Sequence, residues 1–293
     1  MKTILLLGRT GQLGWELERS LQPLGRVVAC ARPEADLSRP ETLRTLVERV
    51  RPAVIVNAAA YTAVDAAEQE EDLAYRINAD SPATLAEAAR ELNAWLVHYS
   101  TDYVFDGKSG PYSETDATNP LNAYGRTKQA GDEAIQRSGC LYVILRTSWV
   151  YGARGKNFLN TILRLARERE VLRIVDDQIG APTWSRTIAD VTAALLARLD
   201  ERRFDADLAG IYHLVSQGET SWYGFARLIV EETRSLRETS PHVEAILTED
   251  YPLPAKRPRD SRLDCRKLAE TFAVNPPNWQ DAALLCLDEV KRR

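Results

Sequence analysis

Short apolar runs separated by amphipathic stretches organise the first half of the chain. "TILLLG" (3–8), "RVVAC" (26–30), "AVIVNAAA" (53–60), "WLVHYS" (95–100) and "LYVILRT" (141–147) are nearly continuous in apolar residues. A strand of a parallel sheet covered on both faces reads this way, whereas a strand with one wet face alternates. Helical patterns lie between the runs. "DLSRPETLRTLVERV" predicts a helix capped by Ser38 with Pro40 in its first turn, and "DSPATLAEAARELNA" repeats the signal with Ser81 and Pro82. "AYGRTKQAGDE" (123–133) reads as a further helix, with Tyr124 and Lys128 four apart on one face. The βαβα alternation predicts an α/β fold built on a doubly wound parallel sheet.

After Trp149 the regularity weakens. "NFLNTILRLARERE" (157–170), "TIADVTAALLARL" (187–199) and "SWYGFARLIVEETR" predict helices, "VLRIV" a short strand, and "IYHLVS" (211–216) a return to the main sheet. Proline-rich "SPHVEAILTEDYPLPAKRPRDSR" follows. The expected organisation is a dinucleotide-binding domain over 1–150 and 186–216, with a smaller, discontinuous substrate domain over 151–185 and 217–293.

Composition narrows the function classes. At 293 residues the chain can bury a full core, and its net charge of −4 lacks the basic footprint of a nucleic-acid binder. The opening "MKTILLLGRTG" has too short an apolar run for a signal peptide or membrane span, so no membrane partner is expected and the cytoplasm is the expected compartment. Four Cys and three His are scattered without metal-ligand spacing, and each Cys is expected to fill a small apolar site.

"LLLGRTGQLG" places Gly8, Gly11 and Gly14 between the first strand and the helix after it. Glycine lets the backbone turn tightly and approach a pyrophosphate, and free N–H groups at a helix start favour an anion. This is the first turn of a Rossmann-type sheet, with Gln12 and Leu13 also in it. Eighteen residues past Gly14 stands Arg32, where a carboxylate ordinarily holds the ribose diol of NAD. A guanidinium suits a 2′-phosphate, favouring NADPH over NADH. Glu34 and Asp36, followed by Leu37, could instead reach the ribose. Ala58, Ala59 and Ala60, with Tyr61 behind them, leave room for a flat ring or ribose against the third strand; tight helix–sheet packing reads equally well.

"HYSTDYVFDG" (98–107) puts Thr101 at the carboxyl end of the fourth strand, the edge where open α/β sheets bind ligands. Thr101, Tyr124 and Lys128 then surround one point. In this the chain resembles the extended short-chain dehydrogenase/reductases. "GRTGQLG", "NAAAYTAVDAAE", "HYSTDYVFDG", "ETDATNPLNAYGRTK", "RTSWVYG" and "DDQIGAPT" follow the order and spacing of the dTDP-4-dehydrorhamnose reductase family to about residue 187. The likeness continues more weakly through "IYHLVSQGETSWYGFA" and "RPRDSRL".

The resemblance implies hydride transfer from NADPH, with NADH as an alternative, to C4 of a 4-keto-6-deoxy nucleotide sugar. Tyr124 would supply the proton, Lys128 would hold the cofactor ribose and tune the phenol, and Thr101 would bond the carbonyl. One cation at ~4 Å in an effective dielectric of ~20 favours the phenolate by about 4 kcal/mol, enough to bring a phenol from about 10 to near 7. Related dehydratases carry Asp-Glu after the Thr; here Asp102 is followed by Tyr103, so the base for water loss is missing and simple reduction remains. Asp102, Tyr103 and Trp149 are implied at the sugar. Asp102 capping a local turn and Trp149 in the core are the alternatives. Arg257 reads as a diphosphate ligand or a domain contact. Trp184, Trp222 and Tyr223 are expected mainly in the core, with stacking on the nucleotide base as the alternative. A homodimer and Mg2+ between subunits are further family features; no ligands for the metal stand out in the sequence. Rival readings are a non-catalytic NADP-binding regulatory subunit and a reductase of another nucleotide sugar.

Overall fold

Along the first strand, Ile4 and Leu6 face one core while Leu5 and Leu7 face another, and all four are fully buried. That two-sided burial explains the unbroken apolar run. The computed structural model describes residues 2–201, 205–236 and 240–292. Strands β1 (Thr3–Leu7), β2 (Arg26–Cys30), β3 (Val54–Asn57), β4 (Trp95–Thr101) and β5 (Leu141–Thr147) lie in the main sheet. The short strands β6 (Val150–Tyr151), β7 (Val171–Val175), β8 (Ile179–Gly180) and β9 (Thr183–Trp184) lie outside it. The chain returns to the sheet as β10 (Gly210–His213), then forms β11 (Thr220–Ser221) and β12 (His242–Ile246). The six-stranded sheet is parallel throughout, in the order β10-β5-β4-β3-β1-β2. Strand order therefore reverses between β1 and β3, opening a crevice at their carboxyl ends.

Helices cover both faces. α1 (Gln12–Ser20) contributes Leu13 and Leu17, with its C-cap Leu21, to one core. α2 (Pro40–Val50), the short α3 (Val64–Ala67) and α4 (Glu71–Tyr75), α5 (Ser81–Glu91) and α6 (Ala123–Ser138) follow in the chain, and α2, α5 and Ile135 of α6 build the opposite core. Next come α7 (Phe158–Glu168), α8 (Ser185–Glu201), α9 (Trp222–Glu232), α10 (Arg266–Phe272) and α11 (Trp279–Lys291). α8 packs beside α1, and Leu268 and Phe272 of α10 join the same core. A third core gathers Leu159 and Ile162 of α7, Phe225 and Ile229 of α9, and Trp279 and Leu287 of α11. Burying each such side chain contributes roughly 1.5–3 kcal/mol.

Two expected helix caps take other roles. α2 has no side-chain cap bond, because the Ser38 hydroxyl donates to Asp36 Oδ1 at 2.8 Å. Ser81 opens α5 but does not cap it: the chain is already helical from Glu71 through a π-turn over Arg76–Asp80, and the Ser81 hydroxyl donates to the Leu37 carbonyl at 2.5 Å. Pro82 has no N–H to give the Asn78 carbonyl, so an i→i+4 ladder is interrupted there in any case. That carbonyl faces α6 so closely that a Cβ on Gly131 would lie 2.1 Å from it; a Cβ on Gly125 would lie 2.2 Å from the Tyr103 carbonyl. The two glycines let α6 settle against the elements that carry the site.

Candidate active site

The turn after β1 is shaped by what glycine omits. Gly8 has φ +84°, and a Cβ there would sit 2.9 Å from the Ala59 nitrogen; one on Gly14 would sit 2.0 Å from the Gly8 carbonyl oxygen. Gly11 begins α1 without a side-chain cap, leaving first-turn N–H groups for an anion. The cradle fits a dinucleotide pyrophosphate at the switch point. Leu13 and Leu37 are buried in the two cores, so only their backbones are available to a ligand. Gln12 donates to the Val150 carbonyl at 3.2 Å and accepts from Asn157 at 3.1 Å, tying the turn to the segment after β5. Beyond β2, the Arg32 side chain is 75% exposed and pairs with Asp36 at 3.5 Å. Asp36 is held below the usual carboxylate range, first by the Ser38 N–H. Ala58 and Ala59 are half-buried and Ala60 exposed along the crevice. Tyr61 is clamped: Asn78 accepts from its N–H at 2.9 Å and donates to its carbonyl at 3.1 Å.

Asn122 starts α6 by accepting from Gly125 N–H at 2.8 Å, which puts Tyr124 in the first turn. Thr101 ends β4, and its hydroxyl lies beside the Tyr124 phenol. The same hydroxyl donates to Asp102 Oδ1 and accepts from Tyr103 N–H, both at 3.1 Å. Tyr103 packs edge-on against Tyr124, centroids 5.6 Å apart. Burial pushes the Tyr124 phenol up; the Thr101 hydroxyl opposes this, and the charges of Asp102 and Asp132 add to it. The expected lowering toward 7 by Lys128 is therefore not found. Lys128 instead turns beneath the site, 1% exposed, donating to the Tyr99 carbonyl at 2.6 Å and meeting His98 Nε2 at 3.0 Å. Burial brings its amine down to about 8, partly offset by Asp132.

Asp102 is also buried, with its carboxyl pushed up to about 6 by desolvation against bonds from Ser261 and Thr101. Trp149 is not a core residue. Its backbone is left-handed, φ +49°, and its ring stacks on Trp222 with centroids 3.6 Å apart. Trp222 packs against the third core, as expected, and also lines a cavity of about 500 Å³ together with Phe158, Ile162, Gln178, Tyr251 and Arg257. Trp184 is buried in the third core, as expected. Arg257 makes the domain contact, pairing with Asp65 of α3 at 2.7 and 3.0 Å.

Sequence reasoning missed the polar layer under Tyr124. His98, one of the scattered histidines, sits beside Lys128 and Asn57; Asp132 takes bonds from Ser100 at 2.8 Å and Arg146 at 3.3 Å. A histidine within an otherwise apolar buried run, and Asp132 four residues past Lys128, were the available signals. Among the described residues no group of three or more His, Cys, Asp and Glu side chains could hold a metal. Mg2+ therefore finds no support among these residues.

Residues 1–292 match the family model described as RmlD substrate binding domain. The chain is 51% identical to a dTDP-4-dehydrorhamnose reductase of Burkholderia thailandensis, covering 98% of each, and 48% identical to one of Escherichia coli, covering 98% of this chain and 97% of that one. The crystal structure of a dTDP-4-dehydrorhamnose reductase from Clostridium acetobutylicum superposes with a TM-score of 0.91 at 35% identity, over 99% of both chains. One from Bacillus anthracis, in complex with NADP, superposes at 0.89 and 33% identity, over 98% of this chain and 99% of that one. With its glycine cradle and its Thr101–Tyr124 pair at the same sheet edge, the chain belongs to the dTDP-4-dehydrorhamnose reductase family.

Proposed function

We propose that the protein reduces the C4 ketone of dTDP-4-dehydro-L-rhamnose with NADPH, giving dTDP-L-rhamnose. The observation that carries this reading is the buried Tyr124 phenol placed beside the Thr101 hydroxyl at the carboxyl edge of β4. NADPH, when bound, supplies the hydride. Gly8, Gly11 and Gly14 cradle its pyrophosphate, Arg32 takes the 2′-phosphate with Asp36 beside it, and Ala58, Ala59, Ala60 and Tyr61 line the crevice. Thr101 bonds the ketone oxygen, and Tyr124 delivers a proton to that oxygen as it becomes an alkoxide. A phenol pushed up by burial is protonated at neutral pH, the state a donor needs. It still yields its proton downhill, because an alkoxide is about as basic as hydroxide. No tuning to neutrality is required. Lys128 fixes α6 against β4 from below.

The sugar sits against Asp102, Tyr103 and Trp149. Its nucleoside diphosphate extends into the cavity beside Trp222, where Arg169, Arg173, Lys256 and Arg257 supply positive charge. This divides the labour between a cofactor domain (1–150 and 186–216) and a substrate domain (151–185 and 217–293), with α10 reaching back under the main sheet. The same reading includes a homodimer and the cytoplasm; no helix among the described residues is long and apolar enough to cross a membrane.

Purified protein mixed with NADPH and dTDP-4-dehydro-L-rhamnose should consume the absorbance of the reduced cofactor stoichiometrically with the sugar. Faster oxidation with another 4-keto nucleotide sugar would reassign the substrate. No oxidation with any of them would leave a dinucleotide-binding module.

A further inference from the structure

Lys128 and His98 cannot be wired independently. In β3 and β4, Asn57 and His98 are register neighbours, and Asn57 Nδ2 lies 3.2 Å from His98 Nδ1. The orientation of that amide is set from its other end, because Ala59 N–H, which can only donate, meets Asn57 Oδ1 at 3.2 Å. Asn57 therefore donates to His98 Nδ1, and a neutral ring must carry its proton on Nε2. That proton points at Lys128 Nζ, 3.0 Å away. A donated proton there demands an amine with a lone pair, so the wiring seen is that of uncharged Lys128. An ammonium would have to donate to Nε2. The ring proton would then move to Nδ1, the Asn57 amide would turn to accept it, and Nδ2 would face Ala59 N–H, losing that bond.

We propose that His98 is a positioning residue whose tautomer follows the charge of Lys128, and that Asn57 carries the change to the backbone N–H of Ala59 at the cofactor crevice. The chain of contacts ends where Ala59 nitrogen packs on Gly8, the residue that shapes the pyrophosphate turn. His98 is suited to the part because burial, and then the Lys128 charge, hold its ring far below its usual range, so it exchanges tautomers without becoming cationic. The groups around Lys128 permit both states. Asp132, on the same helix, favours the ammonium, but is itself engaged by Arg146 of β5 and Ser100 of β4; the Tyr99 carbonyl accepts from either form. The phenols of Tyr124 and Tyr103 stay neutral, being pushed up by burial, while Asp102 is ionised above about 6.

The inference rests on the local wiring and not on which ketone is reduced, and its test needs no turnover. With three histidines in the chain, nitrogen-15 labelling of histidine gives a simple spectrum in which His98 is identified by its loss in His98→Gln. Wild-type His98 should carry its proton on Nδ1 at low pH and on Nε2 at high pH, with a midpoint of about 8, where Lys128 titrates. Lys128→Met removes the titrating amine and should leave the Nε2–H form at every pH. Asn57→Asp places a carboxylate that accepts only, and should hold the Nδ1–H form throughout. A single wild-type tautomer from about pH 6 to about pH 10, or a switch that survives in Lys128→Met, would overturn the proposal.

Discussion

The glycine turn after β1 and the polar layer beneath Tyr124 share one edge of the sheet but are made of different material. The turn is backbone: Gly8 and Gly14 approach neighbouring main chain more closely than any Cβ allows, and a handful of consecutive residues contains nearly all of it. The layer is side chain, drawn from Asn57 of β3, His98 and Ser100 of β4, Lys128 and Asp132 of α6, and Arg146 of β5. A backbone cradle offers fixed dipoles that do not titrate, suited to holding a phosphate. A buried side-chain layer stakes more on each proton, because an unpaired charge there is costly to leave unsatisfied. Holding the cofactor and managing protons are thus separated within a few ångströms.

The sharpest way to break that separation is Tyr124→Phe. The ring and its edge contact with Tyr103 remain, while the proton donor is removed. Turnover should fall by roughly 10²–10⁴. NADPH affinity, read by fluorescence titration, should change little because the glycine cradle is untouched. Near-normal turnover would remove Tyr124 from its role, and a parallel loss of cofactor affinity would show that the two regions are not separable.

The two regions were also unequally legible in the sequence. Gly8, Gly11 and Gly14 could be read directly, since a close approach of contiguous backbone leaves its mark in contiguous residues. The strands could be read for a related reason: a parallel strand buried on both faces has nowhere to place a polar side chain. His98 is an exception within β4, and its meaning depends on Lys128, which is thirty residues further along the chain. Local reading pairs Lys128 with Tyr124, four residues away on the same helix. Tertiary packing pairs it with β4 instead. Pro82 does stand in the first turn of α5, but the π-turn that leads into it, where Asn78 bonds Tyr61 and Thr127, left no local mark.

Asp102 tests the cost of burying a carboxyl at the same edge of the sheet. Its carboxyl stands at about 6 in the fold against a reference value of 3.8. A folded-state pKa above the unfolded one means stability is fully present below about 3.8 and lost as pH rises through about 6. A shift of about two units corresponds to at most ~3 kcal/mol at neutral pH. Asp102→Asn keeps the shape and removes the ionisation. Urea unfolding should find the variant more stable than wild type at about pH 8, with the advantage gone by about pH 4. A gain of the same size at both pH values would locate the effect in packing.

The smallest effect lies at the rim of the cradle, where binding does depend on charge. Arg32 is exposed, and its pair with Asp36 is of a kind worth only about 0–1 kcal/mol, so the guanidinium is free to turn to a better partner. A 2′-phosphate is such a partner, offering oxygens that match the fork in a bidentate bond. Arg32→Ala should therefore weaken NADPH by about tenfold, or ~1.4 kcal/mol. NADH should be nearly unaffected, because its ribose diol needs no cation and Asp36 remains to accept from it. Added salt should shrink the wild-type advantage for NADPH, since the contact is exposed. Direct titration of both cofactors at low and high salt measures all three effects. Equal losses for NADPH and NADH would move Arg32 from the 2′-phosphate to the shape of the loop, and the cradle would then recognise its ligand by backbone alone.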